Sequence, residues 1–467
     1  MKNRKTAAVV LAVGIGTFMS SLDTSVVNLA MPLIKNEFGV SISMVEWIVT
    51  AYLLVISSLL LTFGRISDIY GHKKVYLTGF VIFTAGSLLC GLSSNITMLI
   101  ACRIVQALGA GMLFSTGPAI ITNSVPASSR GRALSVTAIA VALGLCVGPV
   151  VGGTLSTVLG WQSVFFINIP IGLLGIFVVI RNIPQDGKSI PVPFDIAGSV
   201  MIFIALLFIL LPLNISGDYN IPLALFVSLI AAGLLLIACF VMLESRCRYP
   251  MLNISLFKNR VFTASNAAAL FIFMAQFIMV FLAPFYLENL RGYSALLSGL
   301  LYLPMPLATM CVAPVSGMVS DRFDSRYISS FGALAMACGL FMLSFLNIGT
   351  SIAYIVISMV ITGIGFGMFQ TPNNSSVMGN VPAENRGTAS GTLATMRNVG
   401  MVIGVAVSGA LFSFYQNKMT EVYSSQGQSG VILSNNAFSY ALHITFVTAA
   451  IVALIAMTAS FIKGKVS

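Results

Sequence analysis

From residue 7 to residue 462 the chain is a succession of apolar runs, each long enough to cross a lipid bilayer and cut from the next by a short polar, proline-rich or glycine-rich break. A hydrocarbon core of roughly 30 Å takes about 20 helical residues, and helices satisfy their own backbone groups there. Runs of that length fall at 7–30, 45–63, 75–93, 98–122, 134–157, 162–181, 196–215, 221–243, 262–287, 295–317, 328–346, 351–373, 390–415 and 438–462. The expected fold class is therefore an all-α polytopic membrane protein with 14 transmembrane helices. Charge agrees: Asp, Glu, Lys and Arg make up 8% of the 467 residues, against about 25% in ordinary globular domains. That is too little to solvate a soluble surface or to keep a chain disordered.

The net charge of +11 is scattered between the apolar runs rather than gathered on one face, so no nucleic-acid partner is expected. Its meaning is topological. With the N-terminus inside, nineteen of the twenty-four Lys and Arg residues fall in cytoplasmic segments; Lys35, Arg291 and Lys418 fall outside, and Arg103 and Arg397 within spans. Basic residues are retained on the cytoplasmic side of short loops, so both termini are expected in the cytoplasm. The first apolar run is too long for a signal-peptide core and should remain as span 1. Seven cysteines without CxxC spacing imply neither a disulfide framework nor a zinc site.

An internal repeat divides the chain. Gly109, Gly111, Met112, Val125, Pro126, Ala127, Arg130, Gly131 and Ala133 recur 256 residues later as Gly365, Gly367, Met368, Val381, Pro382, Ala383, Arg386, Gly387 and Ala389. Gly144, Gly148 and Gly153 match Gly400, Gly404 and Gly409 at the same offset. Spans 1–6 thus pair with spans 9–14, which leaves spans 7 and 8 as an inserted hairpin. The expected units are a six-helix bundle at 1–183, the hairpin at 195–243, and a second six-helix bundle at 258–467. Two parallel six-helix halves about a midplane cavity resemble the major facilitator architecture.

Four motifs sharpen that resemblance. Gly64-Arg65-Ile66-Ser67-Asp68-Ile69-Tyr70-Gly71-His72-Lys73-Lys74 joins spans 2 and 3 and resembles the superfamily's signature loop, G-x-L-a-D-r-x-G-r-k. Its glycines suit close helix approach and a tight turn, and Asp68 is placed to cap a helix or pair with an Arg such as Arg130, a latch for the outward-open state. Span 4 carries Leu99, Arg103, Gln106, Gly109 and Gly111, resembling an element in which the Arg serves proton coupling. Its repeat equivalent is Met359, so the fold itself does not require the charge. Span 5 carries Gly144, Gly148, Pro149, Gly152 and Gly153 in the pattern g-x-x-x-G-P-x-x-G-G, associated with antiporters. Small residues every fourth position admit a partner helix, and Pro149 removes a backbone hydrogen bond and bends the span. Span 1 holds Leu22-Asp23-Thr24-Ser25-Val26-Val27-Asn28-Leu29-Ala30-Met31-Pro32, resembling L-D-x-T-v-V-N-v-A-l-P. Together with Trp47 and Tyr52 of span 2 and the segment Trp161 to Pro170, these motifs identify the chain as similar to the fourteen-helix drug:proton antiporter family.

Asp23 also stands out without the resemblance, because of thirteen acids it alone lies clearly within a span, Glu46 and Glu288 falling near outer boundaries. An intramembrane carboxyl is costly and marks a proton or substrate pathway. Asp23 and Arg103 are the proton-coupling candidates, and the resemblance alone suggests that they form a pair. Exporters of lipophilic cations in this family carry further acids in the helices of the second half; this chain has none within those spans and places the cation Arg397 in span 13. Neutral, zwitterionic or anionic amphiphiles are therefore as plausible as dications. Candidates to line the cavity are Asn28, Trp47, Tyr52 and Gln106 in the first half, and Gln276, Tyr286, Gln370, Asn373, Asn374 and Arg397 in the second.

The expected function is proton-coupled efflux of drugs or other amphiphiles across the plasma membrane of a bacterium, by a monomer without metal or cofactor. The alternative within the family is an exporter dedicated to one endogenous metabolite, siderophore or lipid. An enzyme would need a catalytic cluster, yet His72 and His443 lie far apart and no HExxH or P-loop is present. A receptor or sensor would need a soluble domain, and the longest loop, at 416–437, is too short for one.

Overall fold

The computed structural model describes residues 2–124, 130–184, 195–215, 222–246, 254–320, 323–381 and 386–463, and no strand occurs among them. The first bundle comprises α1 (Lys2–Phe38), α2 (Ile42–Tyr70), α3 (His72–Gly91), α4 (Ile96–Ser124), α5 (Arg130–Leu159), the short α6 (Ser163–Phe166) and α7 (Asn168–Asn182). A hairpin, α8 (Ile196–Ile215) and α9 (Leu223–Arg246), follows. The second bundle comprises α10 (Arg260–Phe285), α11 (Ala295–Tyr302), α12 (Pro304–Ser320), α13 (Ser325–Leu343), α14 (Ile352–Gly379), α15 (Arg386–Ser425) and α16 (Gly430–Ile462). Among the described residues thirteen helical segments are long and apolar enough to cross a membrane, α6 with α7 and α11 with α12 each forming one; α8 adds a shorter apolar stretch, Ala197–Ile209, which is compatible with fourteen. The break between α11 and α12 falls at Leu303, whose backbone stays helical at φ −54 and ψ −35; what is lost is the hydrogen bond that Pro304, without an N–H, cannot donate.

The repeat is carried into the packing. α1 lies on α5 and α3 on α4 in the first bundle as α10 lies on α15 and α13 on α14 in the second. Glycines set these crossings: a Cβ at Gly86 of α3 would come within 2.7 Å of Gln106 Cα, and one at Gly339 of α13 within 2.7 Å of Thr362 N. Association of helices in lipid depends on close van der Waals packing, which such small residues permit.

Repeat-related glycines also form the seam between the bundles. A Cβ at Gly153 of α5 would lie 2.9 Å from the Ala295 carbonyl carbon and from Leu296 Cα of α11, while Gly409 of α15 abuts the Glu46 carboxyl of α2. Beside the second contact Ser43 and Ser413 share a hydrogen bond of 2.8 Å. All three contacts lie at the end of the molecule that carries the turns at 39–41 and 291–294. Gly153→Ala therefore pushes backbone against backbone, an overpacking that costs about 1–3 kcal/mol in this state alone and shifts the population about 5–150-fold toward the state in which these ends part. Gly152→Ala, whose Cβ meets only Val26 at 3.1 Å within the first bundle, should shift it far less. Spin-label distances between residues 40 and 292 check this: lengthening in the first variant only is expected.

Of the hairpin, α8 packs on both α2 and α15, over the seam, with Thr62 donating to Ser199 Oγ at 2.8 Å. α9 packs on α8 and on the 254–258 turn, and turns Leu225, Val227, Leu234, Leu235 and Met242 outward, as a lipid-facing helix does.

The loop expected at 416–437 shrinks to Gln426–Ser429: α15 runs on to Ser425 and α16 starts at Gly430. Gln416, Lys418, Met419 and Glu421 are good helix formers and extend α15 past its apolar part, and Gly427, at φ 82, supplies the turn. At the other end of α16, Lys463 is fully buried and donates to Ser329 Oγ and Ser376 Oγ at 3.0 Å each. Burial brings its pKa down to about 8, opposed in part by Asp324 and aided by Arg326. The unfolded chain, with lysine near 10.4, then binds the extra proton between about pH 8 and 10, so stability rises with pH through that window. Thermal melts from pH 7 to 10 should show this rise in the native protein, and its loss in Lys463→Met.

Candidate functional site

Asp23 of α1 is fully buried. Its Oδ2 accepts from Arg103 Nη1 at 2.8 Å, and its Oδ1 accepts from Gln106 Nε2 at 2.9 Å and Asn168 Nδ2 at 2.8 Å. Both amides also donate to Ser87 Oγ, at 2.7 and 3.0 Å. Arg103 Nη1 reaches Gln106 Oε1 at 2.6 Å, its Nε reaches the Ile48 carbonyl at 3.2 Å, and the guanidinium lies 3.9 Å from the centre of the Tyr52 ring. Five helices thus share one buried network: α4 and α7 bond the carboxylate of α1 directly, while α2 holds Arg103 and α3 holds the two amides. Arg103 is 1% exposed, so it does not snorkel toward the nearer interface; its charge is met inside by one carboxylate, two acceptors and an aromatic face.

The span 5 motif grips the same stretch of α1 from the opposite side. A Cβ at Gly144 would lie 2.8 Å from Ser21 Cβ, one at Gly148 2.5 Å from Ser25 Cβ, and one at Gly152 3.1 Å from Val26. These glycines bring α5 backbone against the turns that flank Asp23. In the signature loop Gly71, at φ 96, makes the turn between α2 and α3, a conformation that side chains with a Cβ rarely adopt. Lys73 donates to the Ile180 carbonyl at 3.0 Å. Gly64 needs correction: a Cβ there would meet only Ser115, at 4.0 Å, so close helix approach does not require it. The side chains of Asp68, Arg130 and Pro149 lie outside the described residues.

Several expected cavity residues have other tasks. Tyr52 lies under Arg103 and Gln106 is built into the carboxylate network. Tyr286 is buried and donates to the Asn347 carbonyl at 3.0 Å, which ties the end of α10 to the loop after α13. Asn373 Nδ2 bonds the Ser265 carbonyl at 3.0 Å and pins α14 to α10. Trp47 and Gln370 are half-buried. Asn28 is 4% exposed with neither amide atom bonded, and Gln276 donates to Met305 Sδ at 3.4 Å while its Oε1 has no partner. Buried amides in that condition are suited to a ligand's polar groups. Arg397 donates to Asn374 Oδ1 and lies 5.3 Å from the centre of the Phe273 ring.

The profile of the Major Facilitator Superfamily matches residues 13–405. The chain belongs to this superfamily. It is 34% identical over 446 residues to the riboflavin transporter RibZ of Clostridioides difficile, covering 94% of this chain and 95% of that one. It is 30% identical over 423 residues to the multidrug resistance protein Stp of Mycobacterium tuberculosis, covering 90% and 78%. Among solved structures, an inward-facing, occupied bacterial homologue of the human lysosomal transporter Spinster superposes with a TM-score of 0.71 at 16% identity, covering 97% of this chain and 96% of that one. The protein is thus a multi-pass membrane transporter of small substrates, with multidrug transporters among its relatives.

Two features of this major facilitator protein lay beyond sequence reasoning. Asn168 and Ser87 complete the Asp23 shell; Asn168 carried a signal, a polar residue two before Pro170 in an apolar run, whereas a lone serine in a span carries none. Asp23 is also not the one acid inside the bundle, a correction to the sequence reading. Glu46 lies one turn into α2 and is fully buried, because the second bundle closes over it with Gly409.

Proposed function

We propose that the protein is a proton-coupled antiporter that expels amphiphilic compounds from the cytoplasm of a bacterial cell by alternating access, its bundles rocking about a central site. The observation that carries this reading is the carboxylate of Asp23, fully buried and bonded to Arg103, Gln106 and Asn168. Protonation removes the charge that Arg103 balances and turns one acceptor oxygen into a donor, so the contacts of α1 with α4 and α7 change together. The glycine stripe of α5 rests on the same turns of α1 and ends at Gly153 in the seam, which supplies a contiguous route from the carboxyl to the rocking interface. Asp23 and Arg103 are then the proton-coupling pair, and Asn28, Gln276 and Arg397 face the cargo.

A second reading, an exporter dedicated to one metabolite, is favoured by the relative whose name is riboflavin transporter, the more so as its match extends over nearly the whole of both chains. One experiment separates the two readings. Purified protein in liposomes under an imposed pH gradient is assayed with riboflavin and with a panel of unrelated amphiphiles, while internal pH is followed. Gradient-dependent movement of several panel compounds supports the broad exporter, movement of riboflavin alone supports the dedicated one, and movement without proton exchange sinks proton coupling.

A further inference from the structure

The two arginines inside spans are neutralised in different ways. Arg103 has the Asp23 carboxylate at 2.8 Å. Arg397, on α15, has no carboxylate within 4 Å among the described residues; its partners are the Asn374 side-chain oxygen and the face of Phe273, and its Nε bonds nothing. Among the described residues the second bundle offers no other acid to it: Glu288 sits in the turn that follows α10, Asp324 lies beside Arg326, and Glu421 is more than six turns further along α15. A guanidinium in a membrane span is costly unless a counter-charge or water reaches it, and Arg397 is half-buried rather than sealed.

We propose that Arg397 and Asn374 form the headgroup subsite for the cargo and select amphiphiles that bear one negative charge, a carboxylate, sulfonate or phosphate on an apolar body. The inference rests on the transport reading above but not on its proton step. The chemistry of the donor set supports it. Asn374 turns its oxygen to the guanidinium, so its NH2 group and the remaining guanidinium N–H groups form a positively charged patch in which donors outnumber acceptors, which matches an anion and repels a cation. Gln370 lies one turn away on the same face of α14, half-buried, with a further amide. Phe273, edge-to-face with Phe366 at 5.2 Å, provides an apolar wall directly beside the charge for the body of the molecule. The anion supplies the counter-charge that no described carboxylate within 4 Å gives Arg397.

The test uses one fluorophore with three charges: dansylglycine, an anion; dansylamide, neutral; and dansylcadaverine, a cation. Binding is read by dansyl fluorescence with purified protein in lipid nanodiscs and no pH gradient. The native protein should bind dansylglycine about tenfold or more tighter than either of the others, as a charge-assisted hydrogen-bonded pair requires. Arg397→Gln should abolish the preference and leave dansylamide within about twofold, whereas Arg397→Lys keeps part of it. Asn374→Ala, which leaves the cation in place, should weaken dansylglycine alone and serves if Arg397→Gln does not fold. Equal binding of the three probes by the native protein, or equal weakening of all three in either neutral variant, overturns the proposal. Asp23→Asn separates it from the antiport reading: that variant should retain the anion preference even where proton-driven transport is lost.

Discussion

Asp23→Asn is expected to reduce proton-driven efflux at least ~100-fold, the scale on which a positioned proton-transfer group contributes, while the protein remains folded and still binds cargo. Asparagine retains the shape of aspartate, and its oxygen can accept from Arg103 in place of Oδ2, but it cannot load or release a proton. Its NH2 group then takes the place of Oδ1 and faces both Gln106 and Asn168, two donors at 2.9 and 2.8 Å, so some loss of thermal stability accompanies the functional defect. The measurement is efflux and internal pH in liposomes under an imposed gradient, with counterflow of cargo in the absence of a gradient as the control. Retained counterflow with abolished gradient-driven efflux is the expected pair of results. Native rates in both assays would remove Asp23 from the proton pathway.

Arg103→Ala should be the more damaging substitution for stability. It leaves a fully buried carboxylate without its cation and opens space beneath the Tyr52 ring, and breaking a buried pair in this way costs about 3–5 kcal/mol. Melting should fall by on the order of 5 °C or more. The double variant Asp23→Asn/Arg103→Gln places two neutral amides where the charges stood and should recover much of the loss, although it cannot transport against a gradient. Such recovery in a double-mutant cycle isolates the pair itself. Additive losses would mean that Arg103 acts through Ile48 and Tyr52 rather than through the carboxylate.

The glycine repeat shows why equal motif positions acquired unequal tasks. Gly144 and Gly148 are spaced like their copies Gly400 and Gly404, and each pair seats a fifth-span helix against the first helix of its own bundle, at Ser21 and Ser25 in one case and at Leu270 and Met274 in the other. Gly153 and Gly409 continue the same series, yet both touch the opposite bundle. The spacing declares a smooth helix face; which helix lies upon it depends on how the two bundles lean together.

That division extends to the whole molecule. Hydropathy is a local property, since a run of about twenty apolar residues must span wherever its neighbours lie, and the succession of apolar helices was legible for that reason, although not where α15 ends and α16 begins. The cost of a charge in hydrocarbon is also local, which singled out Asp23, Arg103 and Arg397 before any contact was known. Partnership is not local. Arg103 lies 80 residues from Asp23 and Asn168 lies 145 residues from it, and no periodicity relates them. Only the packing of α1 against α4 and α7 brings those side chains to one carboxylate, while Arg397, equally expensive in sequence, is left with an amide and a ring. Glu46 was legible as an acid near a boundary, but its burial was decided by Gly409, 363 positions later, because a glycine there lets the second bundle close over it.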